Sequence, residues 1–302
     1  MDFFINILSV SLYEGLAYGL LTIGFFITFR VLDFPDLTME GSFPMGGAVA
    51  AALIVYAGWN PFLATFGAVI VGTFTGFITG FINTKLRVTA LLSGILMMVG
   101  LYSVNLKIMS GPNIALLRHD TVFDLIGNVT GLSKMYLAVV VAGAFALTCL
   151  FLLNWFLHTE IGLALRASGD NEQMVRGVGA DTDKNILIGC GIANGMIALT
   201  GAIVAQYQGF TDVSMGIGII VTALASAIIG NAIFRPKSVI GMLLACFGGS
   251  FLFRLILTLA LRLGMPPGDL RLITSLMVLI ALTIPLFQKM ARGEWVPPAP
   301  RL

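Results

Sequence analysis

The residue types that usually carry out catalysis are few and scattered in this sequence. The two histidines are His119 and His158, and the three cysteines, Cys149, Cys190 and Cys246, lie apart in apolar segments. The sequence contains no HExxH zinc motif, no GxSxG motif in a suitable setting and no GxxxxGK[ST] phosphate-binding loop. These absences predict a chain that is not an enzyme and binds no metal, with cysteines that pack as small apolar residues. If ATP drives its function, ATP and Mg²⁺ must bind a separate protein.

Isolated polar side chains inside apolar segments form a second group of candidates. Ionisable groups within a bilayer are costly and often functional, whereas amides usually bond neighbouring helices. Asp36 and Asp212 each precede an apolar run and are expected to cap its helix. Glu14 and Arg254 are expected to pair with another helix or to reach the interface; bordering a solute path is the alternative. The candidates for a translocation pathway are Glu14, Asp36, Glu40, Asn105, Asn194, Gln206 and Asp212.

The largest concentration of charge lies in "HTEIGLALRASGDNEQMVRGVGADTDKN", from His158 to Asn185, which holds eight Asp, Glu, Lys or Arg residues. Asp170 and Asn171 can cap a short helix that Gly177 and Gly179 end. The helix would be amphipathic, with Met174 and Val175 available on one side. Such a helix can lie on its own bundle or insert into a groove of a partner protein. The residues alone favour a solvated linker and a docking helix equally.

The elements that must hold these residues are membrane spans. The chain has 302 residues, of which 58% are hydrophobic and 11% charged, whereas a soluble domain has about 25% charged residues. Runs of about 20 apolar residues indicate spanning helices. Nine occur, at roughly 5–29, 38–57, 61–84, 89–109, 136–158, 186–207, 217–233, 238–264 and 269–290. The sequence thus predicts one all-α transmembrane domain over residues 1–302, with about nine helices (eight to ten) and no nucleic-acid partner.

The distribution of Lys and Arg predicts the orientation in the membrane, because cytoplasmic loops carry an excess of both. An N-terminus outside and a C-terminus in the cytoplasm place eleven of them inside and five outside. The inner group is Arg30, Lys85, Arg87, Arg166, Arg176, Lys184, Arg235, Lys237, Lys289, Arg292 and Arg301, and the outer group is Lys107, Arg118, Lys134, Arg262 and Arg271. The charged stretch then becomes the largest cytoplasmic loop.

Two segments of the chain resemble each other. "PDLTMEG" from Pro35 and "TDVSMGI" from Thr211 match at Asp36 and Asp212, 176 residues apart. They begin five spans apart, so the predicted repeat halves, about 35–109 and 211–284, run in opposite directions. Inverted repeats are common in transporters; chance recurrence is the alternative. The third span carries a GxxxGxxxG pattern for close helix packing, within this chain by default, at Gly72, Gly76 and Gly80.

The charged stretch resembles the cytoplasmic loop of ABC importer permeases of the branched-chain amino acid type. The matching residues are Glu160, Gly162, Arg166 and Ala167, followed by Gly177 or Gly179 and then Asp181 or Asp183. The segments from Val31 and from Ala193 also resemble this family, and the resemblance covers nearly the whole chain. It is closest to stand-alone permeases that are encoded with an ATPase and a lipoprotein binding protein and associated with tryptophan or tyrosine uptake.

The resemblance implies a permease subunit in the bacterial cell membrane that translocates a small organic solute such as an amino acid. A cytoplasmic ABC ATPase, an extracytoplasmic substrate-binding lipoprotein and a second copy of the chain would be its partners. The coupling helix would run from Arg166 to Asp181, within a coupling loop of about 159–185. The implied ATPase-coupling residues are Glu160, Gly162, Arg166, Ala167, Gly169, Asp170, Asn171, Glu172, Arg176, Gly177 and Gly179. Residues 110–134 would dock the binding protein or simply connect two spans. An ion-coupled secondary transporter or channel with inverted repeats is the alternative.

Overall fold

The computed structural model describes residues 2–131 and 133–291, and their side chains apart from those of residues 2–5, 267, 271 and 284–291. The described residues form an α-helical protein with two short strands. In chain order the helices are α1 (Asp2–Phe26), α2 (Met39–Val55), α3 (Pro61–Leu86), α4 (Ala90–Met109), α5 (Val122–Thr130), α6 (Lys134–Leu157), α7 (Glu160–Asp170), α8 (Glu172–Gly177), α9 (Thr182–Gln208), α10 (Ile219–Phe234), α11 (Val239–Arg262) and α12 (Leu270–Ala291), and the strands are β1 (Asn113–Ala115) and β2 (Phe210–Asp212).

Each of the nine predicted spans coincides with a helix, namely α1 to α4, α6 and α9 to α12. Six helices of the described chain are long and apolar enough to cross a membrane: α1 with its π-helical extension Ile27–Val31, α3, α4, α6, α9 and α11. Shorter apolar helices are Met39–Val55, Ile219–Phe234 and Leu272–Thr283. The chain is therefore an all-α, multi-pass membrane protein, as predicted.

Two of the shorter helices need their preceding segments to complete a crossing. Helices α2 and α10 have 17 and 16 residues, which gives lengths of about 25 Å against a hydrocarbon core of about 30 Å. Irregular segments precede both, at 32–38 and 213–218. In the first of these segments Asp36 and Thr38 are fully buried. These two segments therefore place non-helical backbone inside or beside the bundle.

Local sequence explains where the spans begin and end. At the start of α3, Asn60 Oδ1 accepts the N–H of Phe62, and Pro61 occupies the first turn, where a missing N–H costs nothing. Helix α9 ends at Gln208 and is capped by Gly209, whose φ of 77° places it in the left-handed region that favours glycine. These caps supply hydrogen bonds to terminal backbone groups that the helix itself leaves without partners.

The spans pack reciprocally. Helix α3 lies along α9, and α11 lies along α1. Helix α2 contacts α3 and α4, while α10 contacts α11 and α12, and α1 contacts α9. The offset of the predicted repeat also carries residues 6–31, which belong to α1 and its π-helical extension, onto residues 182–207 of α9. Each of these helix contacts thus has a counterpart when the two predicted halves are exchanged, as two interlocked copies would show. This correspondence supports the repeat, which remains a prediction. It also adds a fourth helix to each half, α1 to the first and α9 to the second.

The bundle has two different ends. At the sheet end, β1 pairs antiparallel with β2, with Asn113 opposite Asp212, and α5 lies nearby with the N–H of Val122 bonded to Gln206 Oε1. The opposite end carries α7 and α8, immediately before α9 begins at Thr182. Residues 110–131, part of the predicted outer docking segment, thus contribute β1 and α5 to the sheet end.

Candidate functional site

The charged stretch folds as two helices, whereas the family resemblance implied one coupling helix from Arg166 to Asp181. Helix α7 ends at Asp170 because Asn171 is extended, with φ of −157° and ψ of 94°. The Asn171 side chain then caps α8 by accepting the N–H of Met174 at 2.9 Å. Gly177 is the last residue of α8, and Gly179 has a φ of 86°. The predicted cap Asn171 and the predicted end glycine Gly177 therefore belong to the second helix, whereas Asp170 is the last residue of α7 and Gly179 lies beyond α8.

Helix α7 is seated on the segment that follows α1. Leu165 is fully buried and packs with Leu32 and Phe34. A Cβ added to Gly169 would overlap the carbonyl oxygen of Val31, so only glycine permits this approach. Ser168 Oγ accepts a hydrogen bond of 2.8 Å from Asn185 Nδ2, which joins α7 to α9. Helix α7 therefore packs directly against residues 31–34.

Helix α8 is tied to α9 and α3 by charged side chains. Arg176 donates to Glu172 at 2.7 Å and to Asp183 at 3.3 Å, and its Nε donates to Thr182 Oγ1 at 2.7 Å. Lys85 on α3 donates to Asp183 at 3.2 Å. Exposed ion pairs contribute about 0–1 kcal/mol each. The network therefore contributes orientation more than stability, because one arginine holds groups on two helices.

The start of α9 carries its own charged cap. Asp181 Oδ1 accepts the N–H of Lys184, and its Oδ2 lies 3.2 Å from Lys184 Nζ. The backbone bond, followed by the side-chain contact, holds the pKa of Asp181 below its usual range. The cap therefore remains charged at neutral pH, when it complements the positive end of the helix dipole.

The outer face of α7 and α8 is amphipathic. Met174 and Val178 are exposed, as are Ile161 and Leu163 on α7. Val175, which the sequence placed beside Met174 on an available side, is buried because it packs inward against the bundle. A cavity of about 610 Å³ lies beside the network and is lined by residues that include Arg87, Glu172, Arg176 and Asp183. This end of the bundle thus offers apolar side chains, both signs of charge and a cleft.

A buried polar network connects α2, α3 and α9 behind this surface. Asp36 Oδ2 accepts a hydrogen bond of 2.7 Å from Asn194 Nδ2, and Asn194 Oδ1 accepts a hydrogen bond of 2.7 Å from Ser42 Oγ. Thr38 Oγ1 and Thr79 Oγ1 lie 2.8 Å apart. The network consists of Asp36, Thr38, Ser42, Thr75, Thr79 and Asn194, and all of these residues are buried. It fixes the beginning of α2 against both neighbouring helices.

Asp36 and Asp212 do not cap α2 and α10, although the sequence indicated helix caps. Asp36 Oδ1 accepts the N–H of Thr38, and Thr38 is itself the cap residue before α2. Asp212 Oδ1 accepts the N–H of Ser214, while α10 begins only after Gly218. Each aspartate therefore closes a local turn by accepting the N–H two residues later, and this turn precedes the helix.

The other pathway candidates lie at three separate places in the structure. Gln206 Nε2 donates to Thr65 Oγ1 at 2.8 Å near the sheet end. Glu14 on α1 lies 3.5 Å from Arg254 on α11, whose guanidinium also stands 3.4 Å over the Tyr18 ring. Gln206 and Glu14 thus each bond a neighbouring helix. Glu40 and Asn105 line a cavity of about 330 Å³ between α2 and α4.

The three glycines of α3 lie against α9. An added Cβ would overlap Ala198 at Gly72 and the backbone of Cys190 at Gly76, and it would lie tightly against the Leu187 backbone, 3.0 Å away, at Gly80. The sequence reasoning overlooked Thr75 and Thr79, which lie on this same buried side of α3. Their signal was available, since hydroxyls one helical turn apart beside packing glycines often bond across helices.

Comparisons with known proteins agree with this architecture. The family described as "Branched-chain amino acid transport system / permease component" matches residues 7–283. The tyrosine transport system permease protein of Clostridioides difficile is 38% identical over 274 residues, covering 91% of this chain and 89% of that protein. An uncharacterized protein of Rickettsia prowazekii is 32% identical over 282 residues, covering 92% and 97%.

More distant relatives include the autoinducer 2 import system permease protein LsrC of Salmonella typhimurium. It is 27% identical over 207 residues, which cover 66% of this chain and 56% of that protein. No solved structure matches the chain. The match over residues 7–283 and the relative at 38% identity show that the chain belongs to the family of branched-chain amino acid transport system permease components.

Proposed function

We propose that the chain is the membrane subunit of an ATP-binding cassette importer for an amino acid, with tyrosine or another aromatic amino acid as the first candidate. ATP and Mg²⁺ would bind a separate cytoplasmic ATPase, and an extracytoplasmic binding protein would deliver the solute. Two copies of the chain would form the pore. The transport role follows from the family, and the amino acid is suggested by the name of the Clostridioides difficile relative.

The observation that carries the proposal is the pair of helices α7 and α8. The exposed apolar side chains of Met174 on α8 and of Val178, which directly follows α8, stand among charged residues outside the apolar spans. A partner's groove can bury such side chains and pair the surrounding charges. A solvated linker would need neither the tight seat of Gly169 on Val31 nor the bonds of Arg176 to α9. The geometry thus suits a docking element.

The same helices offer a route from the ATPase to the spans. Movement of α7 would displace residues 31–34, which lead directly into the buried turn at Asp36. Movement of α8 would act on α9 and α3 through Arg176, Asp183 and Lys85. In this proposal the α7–α8 end is cytoplasmic, the N-terminus is outside, and the sheet end receives the binding protein.

The test is affinity purification of the tagged chain from its native membranes in mild detergent, with mass spectrometry of the co-purified proteins. We expect an ATPase with a phosphate-binding loop in stoichiometric amount, and its loss in Met174→Glu. The control is Val129→Glu, which places the same charge on an exposed residue of α5 at the other end and should retain the ATPase.

A second test separates docking from coupling. The double variant Arg166→Ala and Glu172→Ala should retain the ATPase but hydrolyse ATP without tyrosine uptake in reconstituted vesicles. Normal uptake by this variant would contradict the coupling role. A partner-free oligomer that transports on an ion gradient alone would replace the importer with the secondary transporter.

A further inference from the structure

The cavity between α2 and α4 has an unusual combination of walls and polar groups. Its volume is about 330 Å³, which is at the lower end of the range for small-molecule sites. The segment before α10 closes one side. The lining residues are Glu40, Gly41, Pro44, Met98, Val99, Tyr102, Ser103, Asn105, Val213 and Ile217. Most of the wall is apolar, and neither lysine nor arginine is among these residues.

Asn105 leaves one strong acceptor unused. The residue is fully buried, and its Nδ2 donates to the carbonyl oxygen of Gly41 at 3.2 Å. This bond fixes the amide orientation, because the reverse orientation would set two oxygens against each other. Its Oδ1 has no hydrogen-bond partner among the described residues. A buried polar atom without a partner is rare, since desolvation then costs about 1–3 kcal/mol.

Glu40 supplies a second acceptor. Its Oε1 accepts the N–H of Gly218 at 3.0 Å, and the side chain is partly exposed. The carboxylate therefore keeps capacity for another donor. With no basic residue among the lining residues, the charged form of Glu40 would give the cavity a negative potential. The complementary guest is a positively charged donor.

We propose that this cavity binds the primary ammonium group of the transported solute, with the apolar part of the solute against Met98, Val99 and Ile217. An ammonium group has three donors and no acceptor, so it can bond the Glu40 carboxylate and still offer a donor to Asn105 Oδ1. Because Asn105 is fully buried behind the cavity wall, this second bond requires a small shift of the wall toward the guest. This inference deepens the proposed function, on which it rests, by assigning the contact that recognises the amine of an amino acid within the membrane subunit.

The experiment uses the purified full-length chain in lipid nanodiscs, without an ATPase. Ser103 is exposed and lines the cavity, so Ser103→Cys in a Cys149→Ser background introduces a thiol there; Cys190 and Cys246 are buried. The rates of reaction with a cationic and an anionic methanethiosulfonate are compared. Val129→Cys, on exposed α5, gives the reference ratio outside the cavity.

We expect the ratio of cationic to anionic rates to exceed the reference at Ser103→Cys. Adding Glu40→Gln, which preserves the acceptor for Gly218, should lower this ratio by about tenfold, because it removes one nearby charge. Tyramine should slow labelling at least about fivefold, whereas 3-(4-hydroxyphenyl)propionate, which lacks the amine, should not. Asn105→Leu should abolish the protection by tyramine, since two acceptors would no longer converge on one ammonium group.

Equal protection by the two compounds, no protection, or a ratio unaffected by Glu40→Gln would overturn the proposal. A thiol that reacts with neither reagent would also overturn it, because the cavity would then face lipid rather than water. Absence of an ATPase from the purification of the unmodified chain would refute the importer without altering these labelling rates. The two failures are therefore distinguishable.

Discussion

The turns at Asp36 and Asp212 begin with closely similar sequences and end in different surroundings. In both, an aspartate Oδ1 accepts the backbone N–H two residues later, at 2.8 Å from Thr38 and 2.7 Å from Ser214. Asp36 is fully buried and bonded to Asn194, whereas Asp212 is partly exposed and lies in β2. The sequence motif therefore specifies the turn, and the neighbouring helices decide whether the turn is locked.

The difference coincides with the two ends of the bundle. The buried turn lies next to α7, since residues 31–34 join α7 to Asp36. The exposed turn begins at the last residue of β2, at the opposite end. If the two turns border one solute path, the structure holds the α7–α8 side closed by a polar network and leaves the sheet side more open. An ATPase that moves α7 would act on the closed side.

The strongest test of this difference is removal of each aspartate side chain. Asp36→Ala leaves the N–H of Thr38 and one N–H of Asn194 buried without partners, so we expect a loss of about 3 kcal/mol of unfolding free energy and no tyrosine uptake. Asp212→Ala exposes the N–H of Ser214 to water and should cost less than about 1 kcal/mol. Denaturation in detergent and uptake into vesicles measure both.

Asp36→Asn serves as the control for charge, because it keeps an acceptor for Thr38 and should recover part of the lost stability. Equal losses in Asp36→Ala and Asp212→Ala would mean that burial does not distinguish the two turns, and the proposed closed side would be wrong.

A second test breaks the contact between α7 and the buried turn. Gly169→Ala places a methyl group against the Val31 carbonyl, so α7 must shift; overpacking of this kind costs about 1–3 kcal/mol. We expect tyrosine uptake to fall more than ATP hydrolysis in the reconstituted complex. Gly177→Ala meets no atom within 4 Å and is the matched control in α8. Similar uptake in the two variants would exclude this contact from coupling.

The spans were predictable because a bilayer demands long apolar helices. All nine predicted runs coincide with helices, and the break before α8 followed from the capping chemistry of Asn171. The position of Val175 was predicted incorrectly. The sequence pattern placed Val175 beside Met174 on the available side of the helix. Only tertiary packing decides which side of a six-residue helix meets the bundle.

The polar network was less accessible to sequence reasoning. Asn194 is 158 residues from Asp36, and Thr79 is 41 residues from Thr38. Local sequence around Asp36 and Asp212 is nearly the same, so nothing within either turn reveals which one is buried. The free oxygen of Asn105 depends likewise on the distant Gly41 carbonyl. Such contacts arise from the packing of separate helices, which single-residue patterns do not encode.

The smallest expected effect comes from the hydroxyls two residues beyond each aspartate. Thr79 already donates to the Thr75 carbonyl, so Thr38 is the donor in the bond between Thr38 and Thr79. Thr38→Val removes this buried bond while keeping the side-chain shape, and should cost about 1 kcal/mol. Ser214→Ala removes an exposed hydroxyl that bonds Asp212 and should cost less than about 0.5 kcal/mol.

Denaturation midpoints in the same detergent would measure the two hydroxyl variants against each other. A larger loss in Ser214→Ala would show that the sheet end depends more on its turn than the α7–α8 end does. Because Thr38→Val leaves Asp36 bonded to Asn194, it should also reduce tyrosine uptake much less than Asp36→Ala. If Thr38→Val alone abolished uptake, the bond between Thr38 and Thr79, rather than the bond between Asp36 and Asn194, would hold the buried turn in place.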